Sequence, residues 1–114
     1  MSHRIPAASI LILSLLLPSS AWAIGSRVQN TLLQAAVIGG NAKACGIATK
    51  ALIQTFDRTL FHLGVGVVEQ QQLKGAFRYA FNLGIQRQLA AGNKNCGSVK
   101  ERLADSIAQL KALH

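Results

Sequence analysis

The sequence has few of the residue types from which reaction centres are built. Its 114 residues include four acidic residues, three histidines and two cysteines, whereas an active site needs a nucleophile with its base, a pair of carboxylates or a cluster of metal ligands. A zinc site takes four closely spaced ligands, and Cys45 and Cys96 are far apart in the chain. Without a Cys-x-x-Cys motif, a redox-active pair is also not expected. We therefore predict no enzymatic activity, no catalytic residue, no metal and no cofactor.

One group of titratable residues lies around the turn predicted at Gly64. His62 ends one helical pattern and Glu69 begins the next, so together with Asp57 they could converge for acid-base work or weak metal binding. A simpler role is available at helix ends. A positive charge in the last turn and a negative charge in the first turn each complement the helix dipole. We interpret His62 and Glu69 in this second way.

No apolar run in the sequence reaches the roughly 20 residues of a membrane-spanning helix. The run at residues 7–17 follows a basic start at Arg4 and precedes a small-x-small sequence that ends at Ala23. These are the three parts of a secretory signal peptide. We predict cleavage after Ala23, leaving a single small domain at residues 24–114 that acts in the periplasm or outside the cell. An uncleaved membrane anchor is the alternative, which the proline and serines after the run disfavour.

The two cysteines both follow the predicted signal peptide. In an oxidising compartment, a single pair has one intramolecular connectivity, and we predict a disulfide between Cys45 and Cys96. A domain of about 90 residues buries a modest fraction of its surface, and closing a loop of about 50 residues would stabilise it by roughly 4 kcal/mol. Two free buried thiols and an intermolecular bridge are the alternatives.

Apolar residues at steps of three and four predict an all-α fold. We expect a short first helix at residues 26–38, with Gly39-Gly40 as its stop. The second helix is expected to begin at Asn41, a plausible N-cap. It would carry Cys45 on its buried face and end at Leu63.

A third helix is expected at residues 67–91, and a last helix that opens with a Ser98 to Glu101 capping box and runs to about residue 113. Gly75 and Gly84 each lower helix propensity by about 1 kcal/mol, which indicates that a neighbouring helix approaches closely there. The sequence thus predicts a small bundle of three or four helices stapled by one disulfide. Its centre would be an antiparallel hairpin of the second and third helices, with a docked C-terminal helix and a looser N-terminal one.

The formal net charge of +8 favours acidic partners. We expect a protein partner with acidic groups or, alternatively, an anionic membrane surface; export makes nucleic acid an unexpected partner. Arg78, Tyr79 and Lys74 share one region of the third helix, and arginine and tyrosine are common interface anchors. We take these three residues and Phe61, predicted to be exposed on the second helix, as candidate partner-binding residues. A solvated helix face is the plainer interpretation of the basic row.

In size, helicity and its single pair of cysteines, the chain resembles the small acid-stress chaperones of the bacterial periplasm and the periplasmic immunity proteins that block secreted toxins. The resemblance includes no sequence motif and therefore implies no functional residues. We expect a non-enzymatic exported helical protein that acts by binding another protein. The alternative is a chaperone-like or anionic membrane-surface protein of the periplasm.

Overall fold

The computed structural model describes residues 25–114, which form four α-helices and no strand. We name the helices α1 (Ser26–Ala44), α2 (Lys50–His62), α3 (Val67–Ala91) and α4 (Cys96–Lys111). The predicted all-α bundle is confirmed, whereas the predicted signal peptide lies outside the described residues. Within residues 25–114, no helix has both the length and the apolar character that crossing a membrane requires.

Two residues after each of α1 and α2 comes a glycine with left-handed backbone geometry, Gly46 (φ 78°) and Gly64 (φ 67°). The amide of Gly46 donates to the carbonyl of Lys43 at 3.0 Å. The next amide, of Ile47, donates to the carbonyl of Ala42 at 2.9 Å. This pair of hydrogen bonds is the Schellman motif, and it satisfies carbonyls that the end of a helix leaves free. The turn predicted at Gly64 is confirmed.

The helices alternate in direction. Cys45 follows the end of α1 and Cys96 begins α4, and their Cα atoms are 5.7 Å apart, so α1 ends where α4 starts. At the opposite end of the bundle, the Thr59 hydroxyl oxygen near the end of α2 lies 3.4 Å from the carbonyl oxygen of Leu110 near the end of α4. Short turns reverse the chain between successive helices. Consequently α1 runs parallel to α3, and α2 runs parallel to α4.

Helix α1 contradicts the predicted stop at Gly39-Gly40, because it continues to Ala44. Both glycines are buried within the helix, at the point where α3 crosses it. A Cβ at Gly40 would collide with the carbonyl oxygen of Phe81 and lie 2.8 Å from the amide nitrogen of Ile85. The missing side chains let the two backbones touch. This packing compensates for the low helix propensity of glycine, about 1 kcal/mol per residue.

Gly84 supplies the matching contact from α3. A Cβ at Gly84 would collide with the carbonyl oxygen of Val37. Each helix thus offers a glycine to the carbonyl that lies three residues before the other helix's glycine, at Val37 and Phe81. The predicted close approach is confirmed at Gly84. It is wrong at Gly75, which is exposed and where an added Cβ would meet nothing within 4 Å.

Helix α1 is central and not the loose helix that was expected. It packs most extensively against α3 and next against α4, and its continuation places Asn41, the predicted N-cap of the second helix, within α1. Helix α2 packs mainly against α4. The pair α2 and α3 is antiparallel as predicted but splayed, and it meets through Phe56 and Phe77, whose ring centroids are 4.2 Å apart. The largest fully buried apolar side chains of the core are Leu32, Leu52, Leu60, Leu73, Leu110 and Val99.

The predicted disulfide between Cys45 and Cys96 is confirmed, but it joins different elements from those expected. Cys45 caps the end of α1 instead of lying inside the second helix, and Cys96 is the first residue of α4. Because α4 begins there, Ser98 lies inside the helix and does not open it. The N-cap position belongs to Asn95, whose side-chain oxygen instead accepts a hydrogen bond from Gln88 at 2.7 Å.

Candidate functional site

An open groove of about 320 Å³ separates α2 from α3. It exists because aromatic rings hold these two helices apart, whereas glycines let α1 and α3 meet backbone to backbone. Helix α2 provides one wall and α3 provides the other. The residues that line the groove are Ile53, Phe56, Asp57, Lys74, Phe77, Arg78 and Phe81.

The floor of the groove is apolar. Ile53 and Phe56 lie three residues apart on α2, and Phe77 and Phe81 lie four residues apart on α3, so each pair shares one helix face. The rings of Phe77 and Phe81 stack with centroids 6.0 Å apart. Phe56 and Phe77 are buried, whereas Ile53 is 43% exposed. The floor therefore continues the core outward to an apolar surface that solvent reaches.

The rim of the groove carries charges of both signs. Lys74 and Arg78 stand one helical turn apart on the α3 wall, and Asp57 stands on the α2 wall. The two cations outnumber the single carboxylate, in line with the twelve basic and four acidic residues of the whole chain. This rim favours a ligand with negative charge on the side that faces α3.

The groove includes two of the four predicted binding residues, Lys74 and Arg78. Tyr79 is half-exposed on α3 next to Arg78 but does not line the groove. Phe61 is 82% exposed in the last turn of α2 and also lies outside the lining. The exposure predicted for Phe61 is confirmed. A binding role for these four residues stays a prediction.

No gap between the second and third helices was predicted from the sequence. Phe56, Phe77 and Phe81 have the spacing of core-facing apolar residues, and that spacing does not indicate a groove. A signal was present in the residue types. Large aromatic rings facing one another from two helices keep the helix axes farther apart than small side chains do. No sequence feature marked Ile53 as a residue that lines a groove.

A second apolar feature lies at the turn between α2 and α3. Phe61, Val67 and Val68 flank this turn and are 82%, 76% and 68% exposed. We call these three residues the apolar tip. Arg58 lies one turn before Phe61 on α2 and is exposed as well. The tip combines apolar side chains that no other part of residues 25–114 covers with a nearby positive charge.

His62 lies in the last turn of α2 and Glu69 in the first turn of α3, the positions at which their charges complement the helix dipoles. The two residues do not converge with Asp57 on a metal site, since no three His, Cys, Asp or Glu side chains gather for metal binding within residues 25–114. His62 instead stacks on His114. Their ring centroids are 4.3 Å apart, and the ring planes are 22° from parallel.

His114 ties the end of the α4 segment to α2. Its Nε2 is 2.9 Å from the hydroxyl oxygen of Thr59. Desolvation of the ring at this contact, together with the positive charges of His62, Arg58 and Lys111, lowers the pKa of His114 below its ordinary value of 6.5. The residue as a whole remains exposed, so the desolvation is local to the face that packs against α2.

The titratable side chains that line the groove are Asp57, Lys74 and Arg78. No protein-family model matches this chain, and no curated protein and no solved structure matches it.

Proposed function

We propose that this is a non-enzymatic exported protein that acts by binding another protein through the groove between α2 and α3. The observation that carries the proposal is the groove, in which an apolar floor open to solvent lies between charged walls. Protein interfaces commonly combine a buried apolar centre with a polar rim. Arg78 on the rim and Tyr79 beside it add two of the residue types that contribute most to binding energy.

Export is supported by the disulfide and by the sequence pattern of residues 1–23. Disulfides persist in oxidising compartments and are rare in the cytosol of most organisms. The bond between Cys45 and Cys96 joins the end of α1 to the start of α4, outside the two helices that form the groove. The scaffold can therefore be held covalently while the walls of the groove remain free to adjust to a partner.

Photo-crosslinking in the native host tests the proposal. A photoreactive amino acid is placed at Ile53, which is 43% exposed in the groove, and in a matched variant at Leu89, which is 63% exposed on α3 outside the lining. We expect one protein to be crosslinked from position 53 and not from position 89, and Arg78→Glu to abolish that crosslink. The same products from both positions, or none from position 53, would refute binding through the groove.

Binding to an anionic membrane surface is the second candidate, favoured by the apolar tip. Exposed apolar residues beside basic ones can insert into the interface of an anionic bilayer, and Phe61 is the most exposed of the three. Cosedimentation with vesicles of anionic lipid, and with neutral vesicles as the control, tests this function. We expect binding to anionic vesicles that Phe61→Ser weakens and that Leu89→Ser leaves unchanged. Equal sedimentation of both variants would show that the apolar tip does not bind the membrane.

A further inference from the structure

We propose that the occupant of the groove is an acidic amphipathic helix of the partner protein. Its apolar side chains would lie on the floor, and two of its carboxylates would pair with Lys74 and Arg78. This inference rests on the proposed function and specifies the chemistry of the partner. The occupant is indicated by two properties of the groove, the direction of its floor and the spacing of its charges, and by the composition of the rest of the chain.

The floor is the bottom of a shallow valley that follows the contact between α2 and α3. Ile53 and Phe56 form its α2 side, and Phe77 and Phe81 form its α3 side, with the Phe56 and Phe77 rings in contact. A helix laid along such a valley inserts side chains at positions i, i+3 or i+4, and i+7. An extended strand fits less well, because the backbone amides and carbonyls of α2 and α3 are already paired within their helices. A strand would thus leave its own polar backbone groups unpaired over an apolar floor.

The rim charges have the spacing of a helix. Lys74 and Arg78 are at positions i and i+4 on α3, which places their Cβ atoms about 6 Å apart. Two carboxylates at i and i+4 on an opposing helix have the same separation and can pair with both cations. Asp57 on the other wall repels a carboxylate there. The preferred helix therefore carries acids along one edge and neutral or basic residues along the other.

Within residues 25–114, no exposed helix face combines two acidic residues at i and i+4 with large apolar side chains. Helix α4 exposes Glu101 and Asp105 at the required spacing. The exposed apolar residues near them, Ala104 and Ala108, have only small side chains. A second copy would thus bring the charges without apolar side chains large enough to fill the groove. Residues 1–24 include an apolar run but no acidic residue. Their charge has the same sign as the α3 rim, which points to a different protein as the partner.

Titration with two synthetic peptides tests the inference. The first is a helical peptide of about 18 residues, or five turns, with leucines at i, i+4 and i+7 and a glutamate pair at i and i+4 on one edge. Its twin has lysines in place of these glutamates. Binding to the full chain, purified with its disulfide formed, is followed by fluorescence anisotropy. We expect the acidic peptide to bind about tenfold more tightly than its twin.

Reversing the charges on the α3 wall should reverse the order of affinity of the two peptides. In the double variant Lys74→Glu, Arg78→Glu, the lysine peptide should bind more tightly than the acidic one. Ile53→Ser should weaken both peptides by removing an apolar contact. The matched controls are Arg87→Glu and Leu89→Ser, which change an exposed cation and an exposed apolar residue of α3 outside the groove. Both controls should bind the acidic peptide as the unmodified chain does.

Equal affinity for the two peptides, or the same loss with Arg87→Glu as with Arg78→Glu, would overturn the inference. If neither peptide binds while the crosslink from position 53 persists, the partner chemistry is wrong and the protein-binding function stands. If the crosslink is also absent, both proposals fail. Competition for the peptide by a second copy of the chain, by residues 1–23 or by anionic vesicles would assign the groove to that occupant instead.

Discussion

Two glycines of α3 should respond in opposite directions to the same substitution. Gly75 is exposed, and a Cβ added there would meet nothing within 4 Å. Gly84 is buried, and a Cβ added there would collide with the backbone carbonyl of Val37. Neither glycine has a positive φ, so backbone strain does not enter the comparison. Changing each to alanine therefore isolates the effect of the neighbouring helix.

The magnitudes follow from helix propensity and overpacking. Alanine is more favourable than glycine in a helix interior by about 1 kcal/mol, so Gly75→Ala should raise the free energy of unfolding by roughly that amount. At Gly84 the same gain is outweighed. Overpacking a core costs about 1–3 kcal/mol when side chains can shift, and here the obstacle is the backbone of α1, which cannot rotate away. Gly84→Ala should therefore lower stability by about 2 kcal/mol or more.

Thermal unfolding of the oxidised chain, followed by circular dichroism, measures both changes. The free energies of unfolding of the two variants should differ by about 3 kcal/mol. For a domain of this size, 1 kcal/mol corresponds to about 4–8 °C in Tm, so their Tm values should differ by more than about 10 °C. Gly40→Ala should behave as Gly84→Ala does. The double variant should lose less than the sum of the two single losses, because one separation of α1 from α3 accommodates both methyl groups. A Gly84→Ala protein as stable as Gly75→Ala would refute the backbone contact.

Three further predictions concern the disulfide, a buried glutamine and the histidine stack. Replacing Cys45 and Cys96 with serine should cost about 4 kcal/mol, the loop-closure value for a separation of 51 residues; a Tm that is the same in oxidising and reducing buffer would contradict a structural bond. Gln29 is fully buried, and within the described residues neither of its side-chain polar atoms has a hydrogen-bond partner, so Gln29→Met should raise the free energy of unfolding by about 1–3 kcal/mol. A loss of stability in thermal unfolding would show instead that the amide is hydrogen-bonded in solution. Because the pKa of His114 is lowered in the folded state, the unfolded chain takes up the proton first as the pH falls. The contribution of His114 to the free energy of unfolding should therefore be present above pH 6.5 and be lost as the pH falls from there through the folded-state pKa. Urea midpoints between pH 7.5 and 5 should therefore fall more for the unmodified chain than for His114→Gln, and parallel curves would disprove this coupling.

The helix ends that the sequence predicts well are those that local chemistry determines. Helix α3 begins at Val67 and ends at Ala91 as predicted, because Gly64 and Gly92 adopt positive φ on either side of it. The role of Gly39-Gly40 could not be determined from the neighbouring sequence alone. Two adjacent glycines look alike in a sequence whether they end a helix or admit a second backbone. What distinguishes the two cases is a partner such as Gly84, far along the chain.

The candidate site was predictable in its charges and not in its shape. Lys74 and Arg78 stand out because basic residues at steps of four form a polar row on one helix face. The floor residue Phe81 follows the apolar periodicity of a core residue, which it partly is. A groove depends on the distance between two helices, and that distance is fixed by side-chain volumes on α1, α2 and α3 together. No single stretch of sequence contains this information.

The disulfide also changes what a single cut in the chain would do. Cys45 and Cys96 close a covalent ring that contains all of α2 and α3. A protease that cleaved the exposed turn at Gly64 or Gly66 would open this ring but release nothing, because each of the two pieces carries one of the cysteines. Both walls of the groove would remain in one molecule. In an oxidising compartment that contains proteases, the groove would lose its connecting turn without losing either wall.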